Sequence, residues 1–96
     1  MNIETFDFRV VEKTETTLAE VMALLHEYPD NFVHGLFEDA AVQDFNDSDT
    51  MVAYDGNVPV GCLMFNSKTN EYNWLAVKRG IGAPKTKIAK RLFESF

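Results

Sequence analysis

A short glycine turn separates an apolar segment from a basic amphipathic segment near the end of the chain. Glycine lets backbone N–H groups approach an anion closely, and the N-terminus of a helix adds a partial positive charge. Four basic residues follow the turn: Lys85, Lys87, Lys90 and Arg91. This order predicts a phosphate-binding site, although an ordinary turn followed by a solvated basic helix face is the alternative. The candidate ligands are Arg79, Gly80, Ile81, Gly82, Ala83 and Lys85.

The formal net charge of −6 is distributed unevenly over the 96 residues. Residues 1–66 contain thirteen acidic and two basic residues, whereas residues 67–96 contain seven basic and two acidic residues. The acidic part would repel DNA or RNA, which argues against a nucleic-acid partner. The basic part suits a small, multiply charged anion such as a nucleotide or a phosphorylated cofactor.

The remaining chemistry-bearing residues indicate neither a metal site nor a secreted protein. His26 and His34 lack the spacing of zinc ligands, so we predict no metal. The single cysteine, Cys62, excludes an intrachain disulfide and lies in an apolar run typical of a core strand. No apolar run is long enough to span a membrane, and the first residues lack the pattern of a signal peptide. These features predict a cytoplasmic protein without a membrane partner.

The first half of the chain predicts one strand followed by two helices. Alternating apolar residues over 6–10 are typical of a half-buried strand. Thr17 and Glu20 have the spacing of a capping box, which predicts the start of the first helix. Apolar residues at helical spacing predict a second helix from about Asn31 to Phe45.

The second half predicts three strands and a final helix. Asp55-Gly56-Asn57, between two β-rich runs, indicates a hairpin. Pro59 and Gly61 indicate an edge or a bulge early in the second of these runs. Residues 71–77 form the next predicted strand, antiparallel to its predecessor, and Pro84 fits the first turn of the last helix. The predicted order in one domain of residues 1–96 is β-α-α-β-β-β-α.

This order resembles the N-terminal half of the GNAT superfamily of acyl-CoA-dependent N-acyltransferases. Val52-Ala-Tyr-Asp-Gly-Asn-Val-Pro-Val-Gly-Cys-Leu63 is similar to the hairpin of the family's second and third strands. Glu71-Tyr-Asn-Trp-Leu-Ala-Val77 resembles its fourth strand, and Gly80-Ile-Gly-Ala83 resembles its pyrophosphate loop before the third helix. The resemblance implies an α/β (α+β) fold with a mixed, mostly antiparallel sheet flanked by helices, lacking the family's C-terminal strands and helix.

The resemblance also implies an activity and a set of site residues. The activity would be direct transfer of an acyl group from acetyl-CoA or another acyl-CoA to the amine of a small molecule or peptide. Glu71 would be the general base. Leu75, Ala76 and Val77 would offer backbone groups to the pantetheine arm and the acyl carbonyl, and the glycine loop would bind the diphosphate.

A non-catalytic role is the alternative. The glycine loop departs from the family's pattern at Val77 or at Pro84, depending on the register, and the usual partner strand is missing. The chain would then be a truncated, GNAT-like domain that binds CoA weakly or not at all. It would self-associate, as a homodimer, to cover its open sheet edge.

Overall fold

The computed structural model describes residues 5–28, 38–80 and 84–96, which form a small α+β domain. Its elements follow the predicted order. They are β1 (Asp7–Val10), α1 (Glu15–His26), α2 (Glu38–Asp47), β2 (Asp49–Asp55), β3 (Val58–Asn66), β4 (Glu71–Val77) and α3 (Pro84–Glu94). The prediction of three strands in succession, with the last over 71–77 and the final helix opening at Pro84, is confirmed.

The four strands form one sheet in the order β1-β2-β3-β4. Every pairing is antiparallel, so the expectation of a mixed sheet is wrong for the described residues. The hairpin between β2 and β3 is confirmed, with Gly56 and Asn57 as its two loop residues. Gly56 has a φ of 62°, a backbone conformation that glycine adopts without steric cost and that tight hairpin loops require.

A β-bulge lies in β3 at the position that Pro59 and Gly61 indicate. Ala53 pairs with Gly61 and Tyr54 pairs with Pro59, which leaves Val60 as the extra residue. The strand runs between β2 and β4, so the bulge is confirmed and the alternative of an edge strand is wrong.

The first helix begins earlier than the sequence predicts. Thr14 is the N-cap, and its hydroxyl accepts a hydrogen bond of 3.1 Å from the Thr17 N–H. The Thr17 hydroxyl in turn accepts a hydrogen bond from the Thr14 N–H at 3.0 Å. The predicted capping box of Thr17 and Glu20 is therefore wrong, because the Glu20 carboxylate accepts a hydrogen bond from the Tyr54 hydroxyl instead.

The second helix is described from Glu38 to Asp47, two residues beyond its predicted end at Phe45. Residues 31–37 of the predicted helix lie outside the described residues.

Helices cover both faces of the sheet. The helices α1 and α2 pack against one face, where the core comprises mainly Val21, Leu24, Leu25, Ala41, Phe45, Val52, Tyr54, Cys62, Met64 and Ala76. The helix α3 packs against the other face, with a second core of Phe6, Met51, Ala53, Val60, Leu63, Val77, Ile88 and Leu92. Within the described ranges, each helix falls short of the length and apolar character that a membrane crossing needs.

Candidate functional site

The strand β4 has one edge without a partner strand among the described residues. On its other side, the Lys78 N–H donates a hydrogen bond of 2.8 Å to the Val60 carbonyl. Hydrogen-bonded and non-hydrogen-bonded pairs alternate along an antiparallel ladder, so Leu75 and Val77 direct their backbone groups away from β3. The Val77 carbonyl accepts a hydrogen bond from the Tyr28 hydroxyl at this edge. The other N–H and C=O groups that Leu75 and Val77 direct to this edge have no hydrogen-bond partner among the described residues, so they can pair with an extended ligand.

A groove of about 330 Å³ runs along this open edge. Residues 75–77 form one wall, Tyr28 lies at one end, and Lys85, Thr86 and Ala89 of α3 form the other wall. A volume of this order is typical of small-molecule sites in proteins, which combine apolar walls with a few polar groups. The groove therefore combines apolar side chains, a lysine and free strand backbone.

Two cations lie against Tyr28. The Arg79 guanidinium carbon and the Lys85 Nζ are each 5.1 Å from the centroid of the Tyr28 ring, within the range of cation–π attraction. Arg79 also donates a hydrogen bond of 3.0 Å to the Glu27 carbonyl. The first turn of α3 carries no acidic residue, so its partial positive charge is uncompensated there. This end of the groove is consequently positive.

The predicted phosphate loop is only partly described. Gly80 has a φ of 84°, which favours glycine because side chains with a Cβ are strained there. A Cβ on Gly80 would have no neighbour within 4 Å, so the requirement for glycine is conformational. Ile81, Gly82 and Ala83 lie outside the described residues, and their role as phosphate ligands stays a prediction.

A bulge in β4 sets the faces on which its aromatic residues lie. Trp74 pairs with Met64 and Tyr72 pairs with Phe65, which leaves Asn73 as the extra residue. Trp74 Nε1 donates a hydrogen bond of 2.8 Å to Asp44 on the α2 side. The Tyr72 ring packs 4.8 Å from the Phe93 ring of α3, between centroids. Residues 72 and 74 of a regular strand would share one face, so the bulge reverses the pattern.

The candidate base Glu71 lies apart from the groove. It is exposed at the first position of β4 and pairs with Asn66. Leu75 lies four positions further along β4, which corresponds to roughly 13 Å in a strand. The structure thus brings together residues 75–77, Lys85 and the Arg79 side chain at Tyr28, but it does not bring Glu71 to them.

Tyr28 is the site residue that the sequence reasoning missed. The sequence feature that could have revealed it is its spacing: Tyr28 lies two residues beyond the end of α1 and continues the helical spacing of Val21, Leu24 and Leu25. The hydrogen bond that ties it to Val77 joins residues 49 positions apart, which sequence spacing does not reveal.

The family of this chain is not shown by comparison. No protein-family model, curated protein or solved structure matches it. Among the described residues, no group of three or more His, Cys, Asp or Glu side chains is arranged to hold a metal ion.

Cys62 is fully buried in the core on the α1 side, and burial raises the pKa of its thiol to about 12. The thiolate is the reactive form, so the folded protein at pH 8 should react with iodoacetamide at least 100-fold more slowly than the urea-unfolded chain. Alkylation followed by mass spectrometry measures both rates. Equal rates in the folded and unfolded protein would show that Cys62 is accessible.

Proposed function

We propose that the groove at the open edge of β4 binds acyl-CoA, and that the chain is a GNAT-like domain that transfers an acyl group to an amine. The observation that carries this proposal is that the edge of β4, unpaired among the described residues, lies beside the positive end of the groove. The pantetheine arm is an extended chain with two amides, which can hydrogen-bond to a strand edge as a peptide does. The diphosphate would lie toward Lys85 and the start of α3, where cations and the helix N-terminus favour negative charge.

The reaction would be a direct nucleophilic acyl substitution. The neutral amine attacks the thioester carbonyl, a tetrahedral intermediate forms, and the C–S bond breaks to release the CoA thiolate. An edge N–H of Leu75 or Val77 would donate a hydrogen bond to the carbonyl oxygen, where negative charge develops. A base must take a proton from the amine, and Glu71 holds this role through the resemblance alone, because it lies far along β4.

Amide NMR of the ¹⁵N-labelled chain tests the binding proposal directly. Acetyl-CoA should shift the amide signals of Leu75 and Val77 and those of residues 79–83, Lys85 and Thr86. Pantetheine alone should shift the edge signals, and adenosine 3′,5′-bisphosphate alone should shift the signals near Lys85. The absence of shifts with millimolar acetyl-CoA would exclude acyl-CoA as a ligand of this chain.

A matched pair of variants tests whether the charge of Lys85 contributes specifically to acetyl-CoA binding. Lys85→Met should weaken acetyl-CoA binding at least about tenfold, because a hydrogen bond to a charged group contributes about 1.5–3 kcal/mol. Lys87→Met removes the same charge from α3 at an exposed position that does not line the groove, so its effect should be smaller. Equal losses in the two variants would indicate attraction by net charge without a defined site.

Self-association without catalysis is the second candidate function, and one surface favours it. An aromatic cluster, formed by Phe65, Tyr72, Phe93 and Phe96, lies where β4 meets the end of α3. Three of its members are exposed large hydrophobic residues, as is Leu75 on the open edge. Exposed apolar residues beside an unpaired edge are typical of an association surface. Sedimentation should then show dimers that Tyr72→Lys dissociates, whereas a strict monomer at high concentration would reject this candidate.

A further inference from the structure

A second and larger cavity lies at the edge of the sheet opposite to the groove. It has a volume of about 510 Å³ and is bounded by the end of β1, the first half of α1 and the tip of the β2–β3 hairpin. The strands β1 and β4 are the two outer strands of the sheet, separated by three strand spacings, or roughly 14 Å. This β1–α1 cleft, lined by Arg9, Thr16, Glu20, Tyr54 and Asn57 among others, is therefore distinct from the proposed acyl-CoA site.

Tyr54 holds a negative and a positive side chain in the cleft. It is only 4% exposed, and its hydroxyl donates a hydrogen bond of 2.9 Å to Glu20 Oε1. The Arg9 guanidinium carbon lies 4.5 Å from the centroid of the Tyr54 ring. Burial and the neighbouring Glu20 carboxylate raise the pKa of the Tyr54 hydroxyl more than the Arg9 guanidinium lowers it, so the hydroxyl remains a protonated donor at neutral pH. The Tyr54 side chain therefore contacts both the negative Glu20 and the positive Arg9.

Within the part of the chain that the structure describes, both charged groups have hydrogen-bonding capacity to spare. A carboxylate can accept about four hydrogen bonds, and the described residues supply one to Glu20, from Tyr54. A guanidinium has five N–H donors, and among the described residues Arg9 directs donors to Asp7 Oδ2, at 3.1 Å in an exposed ion pair, and to the Tyr54 hydroxyl. The capacity left on Glu20 fits an ammonium group, and the capacity left on Arg9 fits a carboxylate.

The mixed charge of the cleft restricts its ligand. A simple anion would meet repulsion from Glu20 and from Glu12, which also lines the cleft, whereas a simple cation would leave the remaining N–H donors of Arg9 without an acceptor. A molecule that carries both charges a few ångströms apart satisfies both side chains. We propose that the β1–α1 cleft binds a small zwitterion of the free amino acid type, with its ammonium group on Glu20 and its carboxylate on Arg9.

Binding is tested by titrating each of the twenty standard amino acids, up to 10 mM, into the ¹⁵N-labelled chain. At least one should shift the amide signals of Arg9, Glu20 and Tyr54 with a Kd below about 1 mM. The matching amine without the carboxylate, and the matching acid without the amine, should each bind at least tenfold more weakly. The proposal is overturned if no amino acid shifts these signals, or if either singly charged counterpart binds equally well.

Variants separate recognition in the cleft from general effects on the fold. Glu20→Gln and Arg9→Met should each weaken the best amino acid at least tenfold, whereas Glu15→Gln, an exposed carboxylate on the same helix, should leave the Kd unchanged. Circular dichroism establishes that each variant is folded. If the Glu20 and Arg9 variants are folded and bind as well as the parent chain, the site is wrongly placed. Acetyl-CoA is absent throughout, so the result does not depend on the proposed acyltransferase function.

Discussion

Replacement of Phe45 by alanine is expected to lower the free energy of unfolding by about 3–5 kcal/mol, because it removes a large side chain from a packed core and leaves a cavity. Phe45 is 1% exposed and is the largest fully buried side chain that α2 contributes. Small domains have a total stability of about 5–15 kcal/mol, so this change should remove a large share of it. Urea titration, followed by Trp74 fluorescence and by circular dichroism, measures the loss.

Phe93→Ala is the matched control for this experiment. Phe93 is 41% exposed and packs mainly against the Tyr72 ring, an aromatic pair that contributes about 0.5–1.5 kcal/mol. Phe93→Ala should therefore lower the free energy of unfolding less than Phe45→Ala does. Similar losses in the two variants would show that α2 is not anchored through Phe45 as described.

Gly61→Ala is expected to cost about 1–3 kcal/mol, since the added methyl group overpacks the contact between α3 and the sheet. A Cβ on Gly61 would lie 2.9 Å from Ile88 Cγ2 and 3.3 Å from Leu92 Cδ1, and both partners are fully buried. Neither side chain can move without displacing its neighbours in the second core, between α3 and the sheet. Urea unfolding again provides the measurement.

A double-mutant cycle identifies which atom makes Gly61→Ala destabilising. Ile88→Leu removes the Cγ2 methyl that the new Cβ would meet, at an expected cost below about 1.5 kcal/mol by itself. In the Gly61→Ala and Ile88→Leu double variant, the loss should be clearly less than the sum of the single losses. Additive losses would mean that the close approach of Gly61 to Ile88 is not what requires glycine.

Local signals in the sequence predict much of this fold. The Asp55-Gly56 pair, the apolar run of β4 and the proline at the start of α3 each specify a structure within a few residues, and all three predictions are confirmed. The start of α1 was missed because Thr14 and Thr17 both offer a hydroxyl for capping. The choice between the two threonines depends on whether Glu20 is available for capping. Its carboxylate accepts a hydrogen bond from Tyr54, a residue 34 positions away.

The candidate site is less predictable, because it depends on contacts between distant segments. The clustering of residues 75–77 with Lys85 follows from the strand–turn–helix order and was expected. The role of Tyr28 follows from the position of the end of α1 against β4. The bulge at Asn73 has no glycine or proline to mark it, and it changes which side chains of β4 face α3.

The helices on the two faces of the sheet carry net charges of opposite sign. The helices α1 and α2 carry six acidic side chains, whereas α3 carries four basic side chains and one acidic one. If a phosphate compound approached the protein, the α1–α2 side would repel it and the α3 side would attract it, which would orient the encounter before contact. Since the screening length grows from about 8 Å at physiological ionic strength to about 30 Å at 0.01 M, low salt should strengthen this orientation. A chain that is acidic in total would thus attract an anion only from the side of α3.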